Sequence, residues 1–254
     1  MTNTDKIARW FTSTNPNPRA RMRIFCFPYA GGNALTYRTW SKYLPDSIEV
    51  YTANLPGRSN RFKELAFSNL NTMVGAIDEA ITPYLDKPFA IFGHSMGALI
   101  SFELTRRLRA NRNLLPAHLF ISGRRAPHLP NTDPITYNLP ESELMEEVRR
   151  LNGTKEEVLE HPELIQIMLP LLRADFSVVE TYDYKPDAAL ECPLTVFGGL
   201  KDPEVTKEQL EAWREQTSAD FKLRMISGDH FFLYKAQPLL LRFILQDLQR
   251  LLSI

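Results

Sequence analysis

Cysteine is nearly absent: the 254 residues contain two, Cys26 and Cys192. One lies inside an apolar strand-like run and the other just before Pro193. They have no zinc-type spacing and make no disulfide framework, so both read as reduced structural thiols. Net charge is also absent, because 30 Lys+Arg balance 30 Asp+Glu. The whole molecule therefore offers no basic field to gather nucleic acid or an anionic membrane surface, and a small or neutral substrate is expected. No uninterrupted apolar run approaches the roughly 20 residues that span a bilayer, and Met1 to Arg9 lacks an apolar signal core. The expectation is a cytoplasmic protein. What the chain does have is a hydrophobic content of 44%, enough at this length to bury a full core in one domain, residues 1–254.

Residues 12–20 are polar and broken by prolines, which sets a short Ile7 to Phe11 segment apart from the body of the fold. Beyond them, short β-prone runs alternate with longer amphipathic stretches. The runs predict strands near Arg23 to Phe27, Glu49 to Ala53, Phe89 to Phe92, His118 to Ser122, Leu194 to Phe197 and Lys222 to Ile226. Apolar residues three or four apart predict helices over Ala34 to Leu44, Leu70 to Leu85, Met96 to Ala110, Glu204 to Glu215 and Gln237 to Leu252. Such alternation implies an α/β fold, with a mostly parallel sheet covered on both faces. The pattern breaks over residues 128–187, where Glu-rich helices (Glu141 to Leu151, Lys155 to Leu159, Leu164 to Tyr182) follow one another without a strand. That stretch reads as a helical lid inserted over the sheet.

Within the regular part, Phe89 to Phe92, Gly93-His94-Ser95-Met96-Gly97 and Ala98 to Leu104 read as strand, tight turn and helix. A serine on such a turn is held in a strained conformation, and glycines on either side avoid collision with the neighbouring strand and helix. Its hydroxyl then projects above the sheet. The helix start supplies unpaired N–H groups, notably that of Met96, near a developing oxyanion. Ser95 is thus the candidate nucleophile.

Serine needs a base, and the base needs a carboxylate to hold its tautomer. Five histidines are available. His94 sits inside the turn, His118 opens a strand, and His128 and His161 lie at or in the insertion. His230, after the last predicted strand and before the terminal helix, occupies the place expected of the base in the chain order serine, acid, histidine. For the acid, Asp202 follows the strand Leu194 to Phe197 at its carboxyl end. Asp229 is the rival, but sequence neighbours rarely face each other in the needed geometry, and its expected role is in its own turn. A second oxyanion donor is expected from Phe27-Pro28-Tyr29-Ala30-Gly31-Gly32-Asn33 after the first strand, with Ala30 as the candidate.

These residues, together with Arg9-Trp10-Phe11, Leu55-Pro56-Gly57-Arg58, Leu172-Arg173-Ala174-Asp175-Phe176, Glu180-Thr181-Tyr182 and Gly228-Asp229-His230-Phe231-Phe232, resemble the type II thioesterases of non-ribosomal peptide and polyketide synthases. That family is a branch of the α/β-hydrolases, and the resemblance covers nearly the whole chain. It implies hydrolysis of acyl groups from the phosphopantetheine arm of a carrier protein, clearing mis-primed or stalled intermediates. It also implies Ser95, Asp202 and His230 as the triad, Ala30 and Met96 as oxyanion donors, and residues 128–187 as the lid over the acyl pocket. No metal or bound cofactor is required, since the substrate brings its own phosphopantetheine.

Charge hides a polarity. Residues 128–187 are rich in Asp and Glu, so the remainder is net basic because the total is zero. Carrier domains are generally acidic, and Arg38, Lys42, Arg58, Arg61, Arg124 and Arg125 are the candidate docking contacts. In the lid, Leu144, Val148, Leu151, Leu164, Ile167, Met168, Leu171 and Leu172 have helical spacing and are expected to divide between packing and pocket lining. A monomer is expected. A fatty-acid-synthase thioesterase, esterase or lipase on the same scaffold is the enzymatic alternative, and a non-catalytic carrier-binding protein the alternative of another class.

Overall fold

The structure, a computed structural model, describes residues 9–13, 15–153 and 161–252. Among these residues there are seven strands: β1 (Phe11–Ser13), β2 (Met22–Phe27), β3 (Ile48–Ala53), β4 (Phe89–His94), β5 (His118–Ser122), β6 (Leu194–Gly199) and β7 (Phe221–Ile226). They form one sheet in the order β1-β3-β2-β4-β5-β6-β7. β1 is antiparallel to β3 and every other pairing is parallel. β2 neighbours both β3 and β4, so the chain leaves it first to one side and then to the other. That reversal opens a crevice beyond the carboxyl ends of β2 and β4, the usual ligand position on such sheets.

Alternation along the strands explains the two cores. Phe25, Phe27, Ile91, Leu119, Ile121, Leu194 and Val196 point to one face, beneath α1 (Leu70–Ile81) and α2 (Met96–Arg112). Ile24, Cys26, Ala90, Phe92, Phe120 and Phe197 point to the other, where Tyr37, Trp40 and α6 (Gln237–Leu252) cover them. Both cysteines are buried and free. Among the described residues no helix is long and apolar enough to cross a membrane. Between β5 and β6 lie α3 (Glu141–Leu151) and α4 (Pro162–Glu180), matching two of the three helices expected of the insertion; Lys155 to Leu159 lies outside the described residues.

Three local expectations need correction. Ala34 to Leu44 forms turns and one short 3-10 stretch, Trp40–Lys42. There the Asn33 side chain accepts from the Leu35 N–H at 2.8 Å, offering the backbone a turn in place of a first helical turn. The helix expected from Glu204 begins only at α5 (Lys207–Glu211), where Thr206 and Gln209 form a capping box, and it passes into a 3-10 stretch, Ala212–Gln216. Phe11, the end of the segment expected to be set apart, and Thr12 and Ser13, the start of the polar stretch expected to separate it, together add an edge strand to β3. A three-residue strand is too short to show alternation, which is why composition alone assigns it to a linker.

Candidate active site

Ser95 stands between β4 and α2 with φ 54° and ψ −112°, a conformation that side-chain-bearing residues rarely adopt. The turn is affordable only with glycines around it. A Cβ on Gly93 would lie 1.9 Å from the Gly97 carbonyl oxygen, and one on Gly97 would lie 2.0 Å from the Phe27 carbonyl oxygen. The Ser95 N–H is tied to the Ser122 carbonyl at 2.8 Å, which locks the elbow to β5. Its own carbonyl accepts from Ala98 and Leu99, so the helix begins at Met96, whose N–H has no intrahelical acceptor.

His230 and Asp202 arrive from the other end of the sheet. Leu200 and Lys201 donate to the carbonyls of Ile226 and Gly228, lashing the loop after β6 to the loop after β7. His230 Nδ1 then lies 2.8 Å from Asp202 Oδ2, with the carboxylate fully buried. A carboxylate only accepts, so the proton belongs on Nδ1 and the Nε2 lone pair is left facing the cavity side. The other Asp202 oxygen accepts from the Glu204 N–H at 2.9 Å. Asp229, the rival acid, accepts from the Phe231 N–H and serves its own turn.

His94 is fully buried 5.0 Å, centre to centre, from the His230 ring, with Nδ1 at 2.9 Å from Ser122 Oγ. Burial first, then the nearness of His230, holds its pKa well below that of a free imidazole. It therefore stays neutral and places no charge beside the His230 ring. Gly123 (φ +60°) makes room for the pair, since a Cβ there would meet His94 Cε1 at 2.7 Å and His230 Cε1 at 3.3 Å. Sequence reading set His94 aside and gave Gly123 no role; neither carries a signal until β4 and β5 are placed side by side.

Ala30, Ser95 and His230 line two adjoining cavities. One, of about 100 Å³, is walled mainly by apolar side chains: Val148, Leu151, Leu172, Phe176 and Phe231. The other, of about 400 Å³, runs toward Arg124, Arg125, Thr136 and Glu180. Of the lid residues expected to pack or line, Leu144, Val148 and Leu172 join a small core, and Val148, Leu151 and Leu172 face the apolar cavity. Leu164 and Ile167 do neither and are exposed, a consequence of their lying on the outer face of α4. Among the described residues no group of three or more His, Cys, Asp or Glu converges as a metal site would require.

The expected cationic docking set does not survive as a set. Arg58 is buried against Asp175. Arg61 is buried too, donating to the Asn54 carbonyl and Glu64 and stacking on Trp10. Arg125 is buried in an ion pair with Asp133 at 2.7 Å. Arg124 is largely withdrawn into the cavity wall; burial, reinforced by Arg125, pushes it down to about 10, still cationic at neutral pH. Only Arg38 and Lys42 are exposed. Spacing in sequence cannot tell a guanidinium in water from one that spans two loops.

The profile of the thioesterase domain family matches residues 22–248. The chain belongs to that family. The thioesterase is 47% identical over 253 residues to the gramicidin S biosynthesis protein GrsT of Aneurinibacillus migulanus, covering 100% of this chain and 99% of that one. It is 34% identical over 224 residues to the medium-chain S-acyl fatty acid synthase thioesterase of Rattus norvegicus, covering 86% and 84% of the two chains. Among solved structures, the type II thioesterase BorB from the borrelidin biosynthetic cluster superposes with a TM-score of 0.87 at 33% identity, covering 94% of this chain and 97% of that one. The expectation of an α/β-hydrolase fold with a mostly parallel sheet and flanking helices thus holds.

Proposed function

We propose that this thioesterase hydrolyses acyl groups from the phosphopantetheine arm of carrier proteins, with Ser95 as nucleophile, His230 as base and then acid, and Asp202 orienting His230. The backbone N–H groups of Ala30 and Met96 hold the oxyanion. The observation that carries this reading is the Asp202–His230 pair at 2.8 Å, opening on the cavity that Ser95 lines from a strained elbow.

Ser95 Oγ attacks the thioester carbonyl carbon while its proton passes to His230 Nε2. The tetrahedral oxyanion collapses and expels the pantetheine thiolate, which takes the proton from His230. Water then attacks the acyl-serine, with His230 again as base, and releases a carboxylic acid and free Ser95. A thiol is more acidic than an alcohol, so departure in the first step needs less help than in ester cleavage. Esterase activity on activated model esters is expected as a side reaction.

The names of the relatives support a place beside an assembly-line synthase: gramicidin S biosynthesis for GrsT, and a type II thioesterase of the borrelidin cluster for BorB. There the reaction clears mis-primed or stalled intermediates, and the enzyme works as a monomer in the cytoplasm. An open groove of about 740 Å³, lined by Asn33, Leu35, Arg38, Arg149 and Tyr234, shares Tyr29, Gly31, Gly153 and Phe231 with the apolar cavity beside Ser95. Among the described residues its lining has two arginines and no acidic residue, which suits the phosphate of pantetheine and an acidic carrier. Arg149 escaped the sequence reading because it lies in the acidic insertion.

Mass spectrometry of several loaded carrier proteins, exposed to the enzyme and to Ser95→Ala, tests reaction and substrate together. Full hydrolysis by Ser95→Ala would remove the nucleophile assignment. The 34% identity to the medium-chain fatty acid synthase thioesterase favours one second reading, release of fatty acyl chains, which the same panel separates by including medium-chain acyl carriers.

A further inference from the structure

Asp175 lies in the second half of α4, five residues past Pro170, and is completely buried. Both its oxygens are engaged by Arg58, Nη2 to Oδ1 at 2.7 Å and Nη1 to Oδ2 at 2.9 Å. Oδ2 also accepts the Gly31 N–H at 2.8 Å, and Arg58 Nη1 donates to the Gly32 carbonyl at 3.0 Å. One helix residue therefore grips the loop after β2 twice, directly at Gly31 and through Arg58 at Gly32. Packing adds to the grip. A Cβ on Gly31 (φ +75°) would lie 2.9 Å from Leu172, one turn earlier on the same helix, and one on Gly57 (φ +82°) would lie 3.3 Å from Leu171.

The consequence reaches Ala30 through one peptide plane. Gly32, held on its carbonyl side by Arg58, donates its own N–H to the Tyr29 carbonyl at 2.9 Å. The Tyr29 carbonyl and the Ala30 N–H belong to the same planar trans peptide and point in opposite directions. Fixing the Tyr29 oxygen on Gly32 therefore aims the Ala30 N–H away from the turn. We propose that Asp175 and Arg58 are positioning residues for the oxyanion loop, so that the second half of α4 is part of the catalytic framework and not a freely moving lid. This inference rests on Ala30 serving as an oxyanion donor.

Stability alone does not account for the pair. Desolvating two charges offsets most of their attraction, and apolar replacements of similar volume are often neutral or stabilising. Orientation is what an apolar pair cannot supply, because it has no acceptor for Gly31 and no donor for Gly32. Removing one partner alone strands a buried charge and invites unfolding, so the sharper test removes both.

The double variant Arg58→Met/Asp175→Leu is expected to keep a melting temperature near that of the parent. Its kcat on an acyl-N-acetylcysteamine thioester should fall at least about 10-fold, toward the 10²-fold or more typical of a lost oxyanion donor, with KM little changed. Affinity for a trifluoromethyl ketone analogue, which forms an oxyanion on Ser95, should fall in parallel. Affinity for a non-hydrolysable thioether analogue should not. A folded double variant with parental kcat and parental ketone affinity would overturn the proposal. Should the double variant not fold, Asp175→Ala, which removes the acceptor for Gly31, assayed below its melting temperature carries the same comparison, and an unchanged kcat there overturns it equally. Failure of the underlying reading looks different, since Ser95→Ala would then retain hydrolysis whatever happens at Asp175.

Discussion

Replacing Gly97 by alanine perturbs catalysis by a steric route whose size the backbone geometry sets. The added Cβ would sit 2.0 Å from the Phe27 carbonyl oxygen, 2.5 Å from its carbon and 2.9 Å from the Pro28 oxygen. Non-bonded carbon rarely comes within 3.0 Å of such atoms, so the end of β2 and the elbow must part by roughly 1 Å. Neither partner is a side chain that can swing aside; both are backbone, one leading to Ala30 and the other bearing Ser95. A displacement of about 1 Å between groups that must converge on one oxygen costs on the order of 10²-fold in rate. Overpacking of this kind also costs roughly 1–3 kcal/mol of stability. The assay is steady-state hydrolysis of an acyl-N-acetylcysteamine thioester, with folding followed by urea titration. Gly75→Ala is the control: the helical site in α1 meets nothing nearer than an Arg107 side-chain nitrogen at 3.6 Å, and the change should add about 0.5–1 kcal/mol with activity unchanged. Parental kcat in a folded Gly97→Ala enzyme would refute the claim that the elbow and the Ala30 loop are set by this contact.

Asp202→Asn should preserve the fold and lower kcat by up to about 10⁴-fold, because an amide can favour the wrong imidazole tautomer; a drop of less than about 10-fold in stopped-flow hydrolysis would argue for another acid. Arg38→Glu and Arg149→Glu should raise KM for carrier-bound thioesters while leaving the small N-acetylcysteamine substrate unaffected, measured side by side on the same acyl group. Acid should weaken the fold through His118, whose Nε2 lies 2.9 Å from Thr195 Oγ1 and whose pKa burial pushes down to about 4. The unfolded chain binds a proton there near pH 6.5 and the folded chain does not, so this contribution is fully present above about 6.5. It is lost as the pH falls toward 4, with a ceiling of about 3 kcal/mol. Urea titrations of the parent and His118→Gln between pH 7.5 and 4.5 should diverge; parallel curves would show that His118 is not held neutral.

How much was legible depends on the range of the interaction that encodes each feature. The strand and helix order, the elbow at Ser95 and the pairing of Asp202 with His230 rest on local pattern and on chain order within a parallel sheet, and the sequence by itself was enough for them. Gly93 and Gly97 announced their role because steric exclusion in a tight turn acts over a few residues. Ala34 to Leu44 reads as a helix in sequence because residues three apart, such as Tyr37 and Trp40, satisfy a helical and a 3-10 pattern alike. The arginines defeat a sequence reading for a different reason. Whether Arg58, Arg61 and Arg125 face water or a carboxylate depends on partners brought near only when the loops and α4 fold together. Asp175 is 117 residues from Arg58, and no periodicity links them. The neutrality of His94, the room left by Gly123 and the aim of the Ala30 N–H are likewise tertiary facts. Local sterics and hydrophobic alternation act along the chain and can be read from it, whereas desolvation and the pairing of buried charges exist only once distant segments have excluded water between them.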